Sequence, residues 1–414
     1  MIFGPIPPSL NPFSINSQSI PFTDTFKYVG VTFQSTAKDY FTTHYAEKIS
    51  AARRNVGVIF CLELYVGRNR IPPQVTRTLY CALVDCHLIH AADIAPDISA
   101  QLLSKHSDLQ KRCLRKILLV SKHSVIAPLY TESGIMPMAP RRVLLALRYL
   151  LYLIHLPNKN YSLMALQQSE NLRNADSPSW LADLDFALRE ASHGTLMLPM
   201  LIDINALTIK TLCNALRKHV WDSLENDIRG NPRLYLLHDR EEPLPDGSYK
   251  RITSTLRHYL LQVSITEHRH CLTNLLLGYS TFRSLSLHGV PDEARGCRAC
   301  LIHRETPEHA ILQCSADLCT VTQRAELFDT IGITLPKTLS DDAAIFYLKK
   351  IIFHWDWVPH TARFVHSVTA TWRNMCAKKA TVGDEQLVLD EDDDMMEDMG
   401  DADMVDQALY VAGL

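Results

Sequence analysis

The rhythm of hydrophobic and polar positions changes near residue 35. Before it, short runs rich in aromatic and β-branched residues at 1–3, 14–22 and 26–33, interrupted by a proline cluster, predict strands. After it, apolar residues recur every three or four positions, which predicts helices over about 37–66, 74–92, 98–119, 141–156, 203–227, 251–279 and 321–377. Pro72-Pro73 separates the first two, and Pro140 sits where the first turn of the fourth should begin. A loop is expected at 241–248, where Pro, Asp and Gly cluster. The expected fold is therefore mainly α with a small β remnant at the N-terminus. The longest apolar stretch, 143–156, is interrupted by Arg148 and His155 and is too short to cross a bilayer, so it reads as a buried helix.

Charge divides the chain more sharply than its net value of −3 suggests. Residues 380–414 hold twelve acidic residues and no Lys or Arg; without them, 42 basic residues face 33 acidic ones, a balance of +9. Such an excess is compatible with a polyanionic partner. The acidic tail, poor in aromatics, reads as disordered and suited to a basic protein partner. The eleven cysteines are odd in number and scattered, and the prolines at the start leave no secretory signal, so an intracellular, reducing compartment is expected.

Two helix-scale patterns carry candidate chemistry. Projected at about 100° per residue, segment 98–119 places Leu103, Leu114, Ile117 and Leu118 on one half, and Lys105, Lys111, Arg112, Arg115 and Lys116 on the other. This is either a solvated face or a phosphate-tracking surface; in the second case the basic groups are expected to be removable with little effect on folding. Cys81, Asp85, Cys86 and His90 also lie close on one predicted helix, where thiols and small polar groups usually serve packing.

The strongest motif is Cys297-x2-Cys300-x8-His309-x4-Cys314. Two thiolates two residues apart on a turn hold one edge of a tetrahedral Zn2+, and a His and a Cys from a following helix close it. Four protein ligands leave no position for a reactive water, so the expected role is structural. His303 and Cys319 are alternative ligands.

In this order the features resemble the C-terminal part of fungal non-LTR (LINE-type) retrotransposon reverse transcriptases. Phe26-Lys27-Tyr28-Val29-Gly30-Val31 is similar to the primer-grip box that follows the catalytic hairpin, with Val29 in place of the usual Leu. His44 to Arg53 and Leu79 to Leu88 look like parts of the thumb, and the cysteine motif with Glu305-Thr306 looks like the zinc-binding element downstream. The resemblance implies a palm-end and primer-grip remnant at 1–34, a thumb-like region at 35–156, a helical connection at 157–290, a zinc element at 291–320, C-terminal helices at 321–379 and the acidic tail at 380–414. It also implies RNA and DNA as partners, as template-primer or target site, primer-grip roles for Lys27, Tyr28 and Gly30, and a nuclear location.

The Tyr-x-Asp-Asp carboxylates that two-metal catalysis requires are not among these residues, so Mg2+ would belong only to an intact parent polymerase. Asp341-Asp342 reads as a helix start with Ser340 or Asp341 as cap, and Asp392 to Asp394 lie in the acidic tail. The expected function is nucleic-acid binding without polymerase activity. The rival is a helical protein-interaction or scaffold module.

Overall fold

Two residues with positive φ at the tip of a tight hairpin twist the backbone in the sense that antiparallel strands need. This happens twice near the N-terminus. Strands β1 (Phe13–Ile15) and β2 (Gln18–Ile20) pair antiparallel across Asn16 (φ 50°) and Ser17 (φ 64°). Strands β3 (Thr25–Tyr28) and β4 (Val31–Gln34) pair across Val29 (φ 47°) and Gly30 (φ 80°). The run at 26–33, which reads as one β segment, is thus folded back on itself at the glycine. A third small pair joins β5 (Glu242–Pro243) to β6 (Tyr249–Lys250). The computed structural model describes residues 13–36, 39–67, 69–243, 248–250, 255–282, 296–336 and 338–380. The expected strand at 1–3 and the acidic tail from 381 onward lie outside these.

The remainder is helical. A long α1 (Thr42–Val66) lies against β4 and against a second helical run made of α2 (Pro73–Leu79), a π-helical turn (Tyr80–Val84) and α3 (Asp85–Leu88). Next come α4 (Ala100–Leu118), α5 (Ile126–Ser133), α6 (Met138–Ile154), α7 (Tyr161–Asn174), α8 (Trp180–Ala191) and α9 (Ala206–Gly230). Short polar side chains start several of them: Ser99, Asn160, Ser179 and Asn205 each accept a hydrogen bond from a first-turn N–H. The apolar run of α6 is buried at Leu144, Leu147, Leu150 and Leu153, as its pattern requires.

The expected helix at 251–279 is two helices, α10 (His258–Gln262) and α11 (Thr266–Leu276), separated where the backbone turns extended at Val263 and Ile265. The chain ends in α12 (Leu318–Thr330), α13 (Asp341–Phe353) and α14 (Val358–Ala380). Ser340 caps α13, its hydroxyl accepting from Ala343 N at 3.3 Å, so Asp341 and Asp342 are first-turn residues. Helix α14 packs on α11, α12 and α13 and brings Trp372 into the core with no exposed surface. One continuous apolar cluster runs from Ala52 of α1 to Trp372 of α14. Among the described residues no helix is long and apolar enough to cross a membrane.

Buried charge ties distant segments together. Arg142 of α6 donates from Nε to Asp97 at 2.8 Å, from Nη1 to Leu88 O at 2.7 Å and from Nη2 to Tyr45 Oη at 2.9 Å. Glu132 at the end of α5 meets Arg240 at 3.0 Å and Arg257 at 3.7 Å, and both arginines also meet Glu242 at 3.4 Å. The stop of α5 beside this network is Gly134 (φ 64°), where a Cβ would fall 2.4 Å from the backbone of Thr255. Gly134→Ala is therefore expected to destabilise the fold by about 1–3 kcal/mol through strain and clash, measurable as a lower urea midpoint with an unchanged m-value.

Candidate metal centre

The site begins with a knuckle. Gly296 and Arg304 form an antiparallel bridge, Cys297 N donates to His303 O at 2.7 Å, and Leu301, in a left-handed conformation (φ 62°), donates to Cys297 O at 2.9 Å. The tight turn aims the side chains of Cys297 and Cys300 to one side. The other half is a π-helical turn, His309–Gln313, whose closing bond runs from Cys314 N to His309 O at 2.7 Å. Because this bond spans one residue more than an α-helical one, Cys314 returns to the same side as His309. An ideal α-helix would have swung it away.

The four donor atoms, from Cys297, Cys300, His309 and Cys314, all lie within 4.8 Å of one another. Cys297 Sγ is 3.9 Å from Cys314 Sγ, and Cys300 Sγ is 3.4 Å from His309 Nε2. Around a tetrahedral ion with Zn–S of ~2.3 Å and Zn–N of ~2.0 Å, the edges come to ~3.8 Å between sulfurs and ~3.5 Å between sulfur and nitrogen. The cluster can hold a metal ion, and its shape is compatible with structural zinc. His303 and Cys319 are not part of it: His303 is exposed, and Cys319 is exposed on α12.

Proton affinities follow the same geometry. The hydrogen bond to Cys314, aided by burial, raises the Cys297 thiol to about 11, while backbone N–H groups of Cys300 and Ala299 oppose that rise. Accepting that bond lowers Cys314 to about 7 despite burial, helped by the N–H of Ala316. Burial disfavours the His309 cation, but the Cys297 and Cys300 sulfurs outweigh it and raise the ring's affinity for a proton.

Around the donors the packing is that of a core. Cys297, Ala310 and Ile311 have no exposed surface and Cys314 has 1%. Glu305, fully buried, accepts from Arg298 N at 2.8 Å and from Arg298 Nε at 2.9 Å, and Arg298 Nη2 also reaches its carboxylate. The same guanidinium donates to Thr281 O at 2.7 Å and Trp372 O at 3.2 Å, fixing the knuckle to α14. Arg324 of α12 donates to Ile311 O at 2.8 Å and Cys314 O at 2.7 Å, satisfying carbonyls at the end of the π turn.

The other sequence candidates lie elsewhere. In the second cysteine group, Asp85 is held by Arg141 at 2.5 Å and Tyr80 Oη at 3.1 Å, while Cys81 and Cys86 are exposed and join no metal cluster among the described residues. On α4, Lys105 is exposed, Arg112 is half-buried, and Lys111 pairs with Asp108 at 3.0 Å. Arg115 Nε donates to Ser124 Oγ at 3.2 Å. Lys116, with 16% of its side chain exposed, pairs with Glu63 at 2.7 Å and donates to Asn69 Oδ1 at 3.1 Å. The expectation that these groups can be removed at little cost does not hold for Lys116, because its loss would leave Glu63 nearly buried without its partner.

Lys27 and Tyr28 are 62% and 64% exposed, beside the Gly30 turn. Around them the structure gathers basic side chains that the sequence pattern does not join, with Glu47 among them 3.6 Å from the Lys27 ammonium. The Lys48 ammonium of α1 is destabilised by partial burial and by Lys27. His87 is depressed by burial, Lys48 and Arg54, and His90 by burial, Lys48 and His87, with Asp93 opposing. The five basic residues come from β3, α1 and the stretch ending the π turn and α3, so no linear motif joins them.

The fold and site together define a mainly α chain with, among the described residues, one Cys3His knuckle set into its core that can hold a metal ion. No protein-family model, no curated protein and no solved structure matches it.

Proposed function

We propose that the chain is a nucleic-acid-binding C-terminal part of a fungal-type non-LTR retrotransposon reverse transcriptase, acting in the nucleus on RNA and DNA, with one structural Zn2+ bound by Cys297, Cys300, His309 and Cys314. The observation that carries the binding role is the exposed tip of the β3–β4 hairpin, Lys27 to Gly30, ringed by Lys48, Arg54, His87 and His90 from two other segments. Burial is the first cause of the lowered proton affinities of Lys48, His87 and His90, and repulsion from neighbouring basic groups adds to it; Glu47, 3.6 Å from Lys27, offsets part of the charge, and a phosphate backbone would meet the cations Lys27, Lys48 and Arg54. Lys105, Lys111 and Arg112 of α4 offer a second binding surface, whereas Lys116 braces α4 against α1. Zinc enters as a closed, four-ligand stabiliser with no open position for catalysis.

A second reading has its own support. Leu62, Leu64, Tyr65 and Val66 at the end of α1 are exposed by 36%, 74%, 71% and 53%, an apolar surface suited to a helical protein partner. The two readings separate on one variant. Replacing Lys27, Lys48 and Arg54 by Ala is expected to weaken binding to an RNA–DNA duplex and to flatten its log-log salt dependence by up to about 0.9 for each phosphate no longer neutralised. Unchanged affinity and slope, with an intact circular dichroism spectrum, would favour the protein-interaction module.

A further inference from the structure

Helix α8 ends in the turn Ser192-His193-Gly194-Thr195, in which His193 (φ 50°) and Gly194 (φ 78°) are both left-handed. Hydrogen bonds from Gly194 N to Arg189 O at 2.8 Å and from Thr195 N to Ser192 O at 3.1 Å fix that turn. It places the His193 ring beside His219 of α9, with His193 Nδ1 and His219 Nε2 3.2 Å apart. His193 is exposed and His219 half-buried.

The Thr195 hydroxyl between these two segments favours one tautomer of His219. Thr195 Oγ1 donates its proton to Ser192 O at 2.7 Å, so toward His219 Nδ1, 3.5 Å away, it can only accept. With its proton on Nδ1 toward that oxygen, His219 turns the Nε2 lone pair toward His193. This is how a neutral imidazole is prepared for a metal, with its second nitrogen bonded to an oriented acceptor. The 3.2 Å separation is close to the ~3.3 Å edge spanned by two imidazole nitrogens on a tetrahedral ion with metal–nitrogen bonds of ~2.0 Å.

We propose that His193 Nδ1 and His219 Nε2 form a second metal site, open and at the surface, for a divalent transition-metal ion of the imidazole-preferring kind such as Ni2+, Cu2+ or Zn2+. Without metal, a proton on His193 Nδ1 bridges the two rings. On binding, His193 takes the tautomer with its proton on Nε2, which frees the Nδ1 lone pair, so both lone pairs are donated to the ion and the neutral pair releases no net proton. Among the described residues no third Cys, His or carboxylate joins them. The remaining positions are therefore left to water or to a donor from another molecule, which makes this site exchangeable where the cysteine knuckle is closed.

The test is Ni2+ titration of the untagged, zinc-loaded full chain by equilibrium dialysis, with His219→Gln and His193→Asn as variants, since Asn tolerates the left-handed backbone at 193. The wild type is expected to take up one Ni2+ more than either variant, while zinc content and circular dichroism stay the same in all three. Equal nickel uptake by wild type and both variants would overturn the assignment. So would loss in only one of them, because two donors are required. A variant that fails to fold is replaced by its partner combined with Thr195→Val, which releases the His219 tautomer; uptake in that pair equal to wild type would likewise refute the site.

Discussion

Replacing Cys300 with Ser is expected to abolish binding of the structural zinc ion proposed for the knuckle and to release the knuckle together with the helices packed on it. Cys300 is the half-exposed member of the four, so the loss is chemical more than steric. The free energy at stake is large: structural zinc contributes about 10–16 kcal/mol in isolated zinc-finger peptides near neutral pH, and part of that is available here because the donors already stand in a folded frame. Sequence alone suggests that the effect would stay local to a loop. The structure argues for a wider one, because Ile311 and Leu312 of the π turn are core residues, and Arg298 holds Trp372 O from within the knuckle. Elemental analysis should give one zinc in the wild type and none in the variant, and a strong chelator should reduce near-ultraviolet circular dichroism while leaving most far-ultraviolet signal. Equal zinc content in both proteins would refute the ligand assignment.

A comparably large effect is expected from Glu305→Ala. The glutamate has no exposed surface and is the carboxylate partner of Arg298, whose side chain is 2% exposed. Removing it leaves a buried guanidinium without this carboxylate, a change that costs about 3–5 kcal/mol in buried pairs. Arg298→Met combined with Glu305→Leu should recover much of that loss, because both charges are then gone. Chemical denaturation of the zinc-loaded proteins measures both steps. If the single variant were as stable as the wild type, the pair would not be what joins the knuckle to α14.

The helical class, the break at Pro72-Pro73, the start of α6 near Pro140 and the cap at Ser340 were legible because each rests on local chemistry: period, proline geometry, a hydroxyl before a helix. The four metal donors were legible too, since their spacing is a local constraint. What escaped was long-range. The Arg298–Glu305 pair joins residues seven apart that give no periodic signal, and its worth comes from burial against α14, far along the chain. The π turn that aligns His309 with Cys314 is a departure from the helical period the pattern assumes. The fold-back at Val29-Gly30 was missed because a Val in the left-handed region is unusual, so the segment reads as a continuous strand. The charged half of α4 looked solvent-facing because a projection shows one helix, whereas Glu63 and Asn69, which bind Lys116, come from the end of α1 and the residues after it.

The central claim is that this chain binds nucleic acid through its cationic surface, and the salt dependence of wild-type binding to an RNA–DNA duplex tests it most directly. The zinc-loaded protein should bind with a log-log slope of at least about −3 between roughly 50 and 200 mM salt, the value for about three to four neutralised phosphates. Duplex binding that is absent at the low-salt end, or that does not change across the range, would contradict the account.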